Sequence, residues 1–191
     1  MNNKTRMDQL EKDSTIYFTR DVPPGSRAKL IDAVSVSAYN NNRTYEGCAR
    51  CVLAAINEHL KLTSAEGFSE LIKASTALSA GVARMGETCG ALIGGIMALG
   101  LVFGSEELRL FDRYADTMKI SRELFLKFKD QYGTVKCSEI QEKLLGRRFN
   151  FFKEEDREAW YKEGGLEKCP SVCAAAAGLA AEIILDYRKI V

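Results

Sequence analysis

The chain has 191 residues, 46% of them hydrophobic, which is enough to bury one substantial core and excludes intrinsic disorder. Lysine and arginine number 27 against 26 aspartate and glutamate, a formal charge of +1, so no field exists to gather nucleic acid or an anionic membrane. One histidine excludes a site built from several imidazoles, whereas six cysteines exceed the needs of packing and direct attention to sulfur.

Residues 1–25 are polar and end in the breaker cluster Pro23-Pro24-Gly25, which predicts a weakly structured arm ahead of a domain over 26–191. The arm has no apolar run long enough for a signal-peptide core, so the expected location is the cytoplasm. Thiols stay reduced there, and clustered cysteines hold a metal or cycle catalytically instead of forming structural disulfides.

After Ser26, apolar residues recur three and four apart at Leu30, Ile31 and Val34, then at Val52, Leu53, Ala55, Ile56 and Leu60 behind the cap candidate Thr44. Further helices are expected over about 66–80, 88–103 and 105–131, the last with Leu108, Phe111, Tyr114, Ala115 and Met118 as its apolar stripe and Gly133 as its stop. A short helix is expected over about 138–145. The aromatic and charged segment Arg147–Gly165 reads as a loop or short helix lying across the others, and a last helix covers about 170–189. No run alternates as a strand does, so the fold class is all-α, one bundle of about six to seven helices.

The uncharged stretch Thr88–Ser105 carries five glycines and only just reaches spanning length, so it reads as a buried core helix and no membrane is expected. Gly86, Gly90 and Gly94 lie four apart on one face of that helix, where they would admit a close backbone approach. The small-residue run Ala174–Ala181 of the last helix is the expected neighbour.

The cysteines concentrate at predicted helix starts. Cys48 lies in the first turn after Thr44, Cys89 follows the cap candidate Thr88, Cys137 precedes Ser138 with Gln141 three residues on, and Cys169 precedes Pro170, a residue that favours the first helical position. Free backbone N–H groups and the positive end of the helix dipole stabilise a thiolate there. Core-filling thiols have no reason to seek such positions. Cys51 and Cys173 fall deeper in their helices and read first as small hydrophobes, accessory to the four.

The stretch Arg84-Met85-Gly86-Glu87-Thr88-Cys89-Gly90-Ala91-Leu92-Ile93-Gly94 resembles the CGAxxG motif of the redox-active proteins named for their C_GCAxxG_C_C cysteine pattern. Cys48-Ala49 upstream, Gly133 to Cys137 downstream and Cys169 near the end agree with it, and the likeness spans about residues 40–187. The family's four cysteines would then be Cys48, Cys89, Cys137 and Cys169, with Cys51 and Cys173 as additions. The resemblance implies a redox role; a related domain accompanies haem in split-Soret cytochromes, where an iron–sulfur centre is implied. Residue 52 is valine, so no C-x-x-C-H exists for covalent haem.

Three functions follow. The four cysteines converge on an iron–sulfur cluster or another thiolate-bound metal, as an electron carrier or oxidoreductase with a redox partner still to be named. Alternatively a cysteine pair, Cys48-Ala49-Arg50-Cys51 or two of the gathered sulfurs, exchanges with a disulfide. In a third reading the cysteines are inert and the charged helix over 105–131 docks a protein. His59 lies too far along its helix from Cys51 to share an ion, and Glu87 and Lys136 are near enough to their cysteines to tune sulfur basicity. Arg147 and Arg148 beside Phe149, Phe151 and Phe152 read as packed aromatics with a solvated rim, and nucleic acid is not an expected partner.

Overall fold

Proline at a first helical position loses an N–H that would have had no intrahelical partner, and the first helix opens on Pro24. The computed structural model describes residues 24–187, which form eight helices and no strand. They are α1 (Pro24–Thr44), α2 (Cys48–Leu60), α3 (Ala65–Ser75), α4 (Gly90–Phe103), α5 (Phe111–Tyr132), α6 (Cys137–Leu145), α7 (Glu154–Lys162) and α8 (Gly165–Tyr187). Most of the polar arm expected over 1–25 lies outside the described residues.

The all-α expectation holds, with eight helices in place of six or seven because α7 occupies the segment read as a loop or short helix. Three boundaries differ for local reasons. Ser105 Oγ accepts from Glu107 N at 3.0 Å, a turn that delays α5 to Phe111. Gly164, at φ +88°, makes the break before α8, which therefore starts at Gly165 and carries Pro170 inside it. Helix α3 stops at Ser75, and the chain beyond it turns left-handed.

Helix α1 runs along α8 and α2; α4 packs between α2 and α8; α5 covers α4 and α8. Their shared core holds Val52, Leu53, Ile56, Leu92, Leu99, Leu124, Phe128, Ile183 and Ile184, with alanines of α8 filling between. The stripe expected to bury α5 faces outward instead: Leu108 is 99% exposed, Phe111 74%, Tyr114 64% and Met118 53%. Residues 111–119, the opening turns of α5, are exposed except for the half-buried Thr117, and the buried face of the helix, Ile120, Leu124 and Phe128, lies farther along. Helix α8 is also long and apolar enough to cross a membrane by length and composition, but 61% of its most apolar window is buried within the bundle.

The glycine motif divides its work. Gly86 is not in the helix; it sits in the preceding turn at φ +75°. Gly90 and Gly94 face α2 and the turn before α4, since a Cβ on Gly94 would collide with Ala49 O. Gly95 is the glycine that meets the alanine-rich helix, where an added Cβ would lie 3.4 Å from Ala180 Cβ and 2.9 Å from Leu124 Cδ2. A Cβ on Gly100 meets nothing within 4 Å. Gly100→Ala should therefore be neutral or stabilise by up to ~1 kcal/mol, because alanine removes backbone freedom only from the unfolded chain. Guanidinium unfolding checks this, and a midpoint clearly below wild type would contradict it.

Candidate functional site: a cluster of cysteines

Cys48 is the first residue of α2, behind Gly47 at φ +102°, a conformation suited to glycine. Thr44 does not cap α2, because α1 runs through it. Against Cys48 lies the most strained backbone of the fold. Ala80, Gly81, Val82, Ala83 and Arg84 take φ of +49°, +74°, +57°, +49° and +63°, one full turn of left-handed backbone. Each of its four non-glycine residues costs roughly 1–2 kcal/mol, and a β-branched valine is the least suited of all. Hydrogen bonds inside the turn hold it, Ala83 N to Ala77 O at 2.7 Å, Arg84 N to Ser79 O at 3.1 Å and Gly86 N to Ala80 O at 3.1 Å among them. Outside it, Arg84 pairs with Glu46 at 3.4 Å.

The exit of this turn is bonded to the start of α6. Cys89 N donates to Val135 O at 2.8 Å, Cys137 N to Glu87 O at 2.6 Å, and Ser138 N and Oγ both to Gly86 O at 3.0 and 2.9 Å. Thr88 bridges Lys136 in this short antiparallel pairing and is not a helix cap; Cys89 itself takes the N-cap position of α4. Ser138 is likewise no cap, since Lys136 holds that place and Cys137 is the first residue of α6. Backbone pairing, independent of any side-chain chemistry, thus sets Cys89 beside Cys137. Glu87 and Lys136 reach the site through their backbones, and their side chains point to solvent.

A Cβ on Gly90 would collide with Leu78 O and lie 3.3 Å from both Cys48 Sγ and Ser79 Cα, so the first residue of α4 is bare because the 78–79 backbone and the Cys48 sulfur pack directly on it. Cys169 is five residues into α8, not at its start, and Cys173 follows one helical turn later on the same face. Three helix starts and one helix face therefore bring five sulfurs, Cys48, Cys89, Cys137, Cys169 and Cys173, within range of one another's charge. Cys51 turns away, donating to Tyr45 O at 3.5 Å. His59 is apart from the cluster and shares a hydrogen bond with Ser37 Oγ at 2.8 Å. Arg147 stacks on Phe149 and pairs with Asp156 and Glu163, while Arg148 pairs with Glu142.

Only one of these sulfurs is set up to be anionic. The Cys173 thiol donates to Cys48, and that bond, working against burial and aided by the N–H groups of Ala80 and of Cys48 itself, lowers the Cys48 pKa to about 7. The same bond, with burial, pushes Cys173 well above the ordinary thiol value. Burial and then the charge on Cys48 raise Cys89 to about 12, and the same causes raise Cys169 to about 12. Cys137 is driven up by burial and by Cys89, Cys48 and Cys169. Cys51 rises to about 11, again chiefly by burial. The cluster behaves as one coupled group that admits a first negative charge and resists a second.

Two aromatic residues complete the walls. Tyr132, the last residue of α5, stacks on Phe128 at 4.8 Å and has its phenol raised to about 12 by burial and by the sulfurs of Cys89, Cys173 and Cys169. Trp160 of α7 lies at Cys169. Neither aromatic stood out in the sequence, where no spacing ties them to a cysteine. Cys173 did carry a signal, since its four-residue separation from Cys169 places both on one helical face.

The scaffold is all-helical and gathers five sulfurs around one whose pKa is lowered to about 7. The family model described as "Putative redox-active protein (C_GCAxxG_C_C)" matches residues 46–183, and the chain belongs to that family. No curated protein and no solved structure matches it. Among the described residues, no three side chains of His, Cys, Asp or Glu are arranged to hold a metal ion, so the sulfurs as placed do not form the ligand set that the resemblance implied.

Proposed function

We propose that this protein transfers electron pairs by thiol–disulfide exchange, with Cys48 as the attacking sulfur and Cys173 as the resolving one. The observation that carries the reading is the setting of Cys48, the first residue of α2, packed on the bare Gly90, where the neighbouring Cys173 thiol lowers its pKa to about 7. The Cys48 thiolate attacks one sulfur of a disulfide R–S–S–R, forming a mixed disulfide and releasing one thiolate, RS⁻. Cys173 then gives up its proton to that leaving thiolate and attacks Cys48 Sγ. The mixed bond breaks, the second RS⁻ departs, and a Cys48–Cys173 disulfide remains. Two electrons have passed from the pair to the substrate, and a reducing dithiol returns them by the same steps reversed. A reducing cytoplasm, where such a pair rests as the dithiol, belongs to this reading.

Of the pair, only Cys48 belongs to the family's four cysteines; Cys173 is an addition to the pattern. Among the described residues no three His, Cys, Asp or Glu side chains are arranged to hold a metal ion, which supports the exchange reading over a centre held by Cys48, Cys89, Cys137 and Cys169 together. Protein treated with one equivalent of a low-molecular-weight disulfide should yield a Cys48–Cys173 cross-linked peptide on mass spectrometry, and Cys48→Ser should slow consumption of that disulfide by about a hundredfold. Cross-links between other pairs would overturn the assignment. So would brown protein, with bound iron retained after purification without oxygen, since an iron–sulfur cluster would then occupy these thiols.

A further inference from the structure

The later turns of α5 are anchored on the bundle, with Leu124 and Phe128 buried, Glu123 accepting from Tyr187 Oη at 3.0 Å and Lys127 paired with Glu182 at 3.4 Å. The opening turns are not. Their attachment is to the end of α4, where Phe103 O accepts from Thr117 Oγ1 at 2.8 Å and from Arg113 Nε at 3.3 Å, and every side chain over 111–119 except Thr117 is exposed. Single apolar residues on a surface are ordinary, but Phe111, Tyr114 and Met118 recur three and four apart on one helical face, with Leu108 and Leu110 exposed ahead of them. At the start of the helix an open hollow of about 400 Å³ is lined by Arg109, Leu110, Phe111, Asp112 and Arg113. A contiguous apolar face of this kind marks a place where something docks.

The chain that leads into the fold arrives at the same end of the bundle. Helices α1 and α8 run antiparallel, with Gly178 against Ser35 and Arg27 paired with Asp186 at 2.6 Å, so Pro24, the first residue of α1, lies at the C-terminal end of α8. The next residue of α8, Tyr187, meets Phe103 edge-on at 6.0 Å between ring centroids, and Phe103 O is the acceptor that holds Arg113 and Thr117. Residues 1–23 precede Pro24, and this mostly polar segment carries one apolar cluster, Ile16-Tyr17-Phe18. Phe18 is six residues from Pro24, and six residues of extended chain reach up to ~20 Å, about twice the ~10 Å that seven residues rise along a helix from Phe111 to Met118. We propose that the segment ahead of α1 folds back over the opening turns of α5 and seats Ile16, Tyr17 and Phe18 on the face of Phe111, Tyr114 and Met118. A tethered occupant meets this face at an effective concentration on the order of millimolar, whereas a second copy of the chain must first meet the cost of association. The docking takes two apolar surfaces out of water together, and it involves none of the cysteines.

Full-length protein with the photo-cross-linking residue p-benzoylphenylalanine in place of Tyr114 tests the contact directly. Irradiation should give a product of monomer size in which position 114 is joined to a peptide from residues 1–23. A covalent dimer would overturn the proposal and assign the face to a second copy, and the absence of any product within 1–23 would overturn it as well. A second measurement keeps the native face. In the full-length double variant Tyr17→Asp, Phe18→Asp, amide hydrogen exchange over 111–118 should be about tenfold faster than in wild type, while peptides of α4 and α8 should change by less than about twofold. Equal exchange over 111–118 in the two proteins would show that these residues do not cover α5. Neither readout involves a thiol, so failure of the exchange reading would leave both intact.

Discussion

Gly90→Leu is expected to lose at least ~3 kcal/mol of stability, or to fail to fold, and to disable Cys48 along with it. The magnitude follows from what surrounds this glycine. A bare Cβ would already collide with Leu78 O and approach Cys48 Sγ and Ser79 Cα to 3.3 Å each. None of these is the free end of a flexible chain. Leu78 O belongs to the segment entering the left-handed turn, whose strain leaves little room for further adjustment, and Cys48 is fixed by the start of α2. A leucine must push α4 away from α2 or dismantle the turn that delivers Ala80 N–H to the Cys48 sulfur. Gly90→Ala separates these effects, because it should fold, cost ~1–2 kcal/mol and slow formation of the Cys48–Cys173 disulfide. Guanidinium unfolding with disulfide mapping reads both, and wild-type stability in Gly90→Leu would show that the close approach does not constrain the fold.

The same glycine illustrates what could be read in advance. That Gly90 needs to be bare was legible from four-residue spacing on a helix; which neighbour it admits was not, since spacing names a face and not its partner. The alanine-rich C-terminal helix was the plausible choice, and it does come close, but to Gly95. Helix existence and type were equally legible from the period of the apolar residues, whereas the α5 stripe was misassigned. Phe111, Tyr114 and Met118 have a core-like period, and nothing local in the sequence shows that the opening turns of the helix stay exposed while only its later turns are buried.

At the site, the gathering of Cys48, Cys89, Cys137 and Cys169 was approached through helix starts, and that argument is right for three of them. Cys169 reaches the cluster by another route, from inside α8, because Gly164 moved the helix start ahead of Pro170. The pairing of 86–89 with 135–138 and the left-handed turn of 80–84 were beyond reach. Both depend on long-range hydrogen bonds, and alanine, valine and arginine give no local signal of positive φ. Yet these two features deliver the backbone donor to Cys48 and place Cys89 beside Cys137. Strain tolerated at such a place is what a site needing a fixed donor requires, and it is held by the bonds to Ser138 and Cys137 that close the turn.

Reduced protein should become sharply unstable in alkali, losing on the order of 10 kcal/mol between about pH 8 and 10. The sign follows from the folded values. Cys51 stands at about 11, Cys89 and Cys169 at about 12, and Cys137 and Cys173 are raised as well, whereas an unfolded thiol ionises near ~8.5. A group raised in the native state contributes stability that is fully present below the unfolded value and is lost as pH rises toward the folded one, at ~1.4 kcal/mol per pH unit for each thiol. Cys48 works in the opposite sense: lowered to about 7, its contribution is present above the unfolded value and disappears as pH falls through 7. Five raised thiols outweigh one lowered, so stability should peak near neutral pH, decline gently below 7 and fall steeply above about 8.5. Oxidation to the Cys48–Cys173 disulfide removes one raised and one lowered thiol from this balance. The oxidised protein should keep most of the alkaline loss, set by Cys51, Cys89, Cys137 and Cys169, while losing the decline below pH 7. Urea unfolding of both forms from pH 6 to 10 tests the account, and a reduced protein equally stable at pH 7 and pH 10 would show that these sulfurs are not held as buried, protonated thiols.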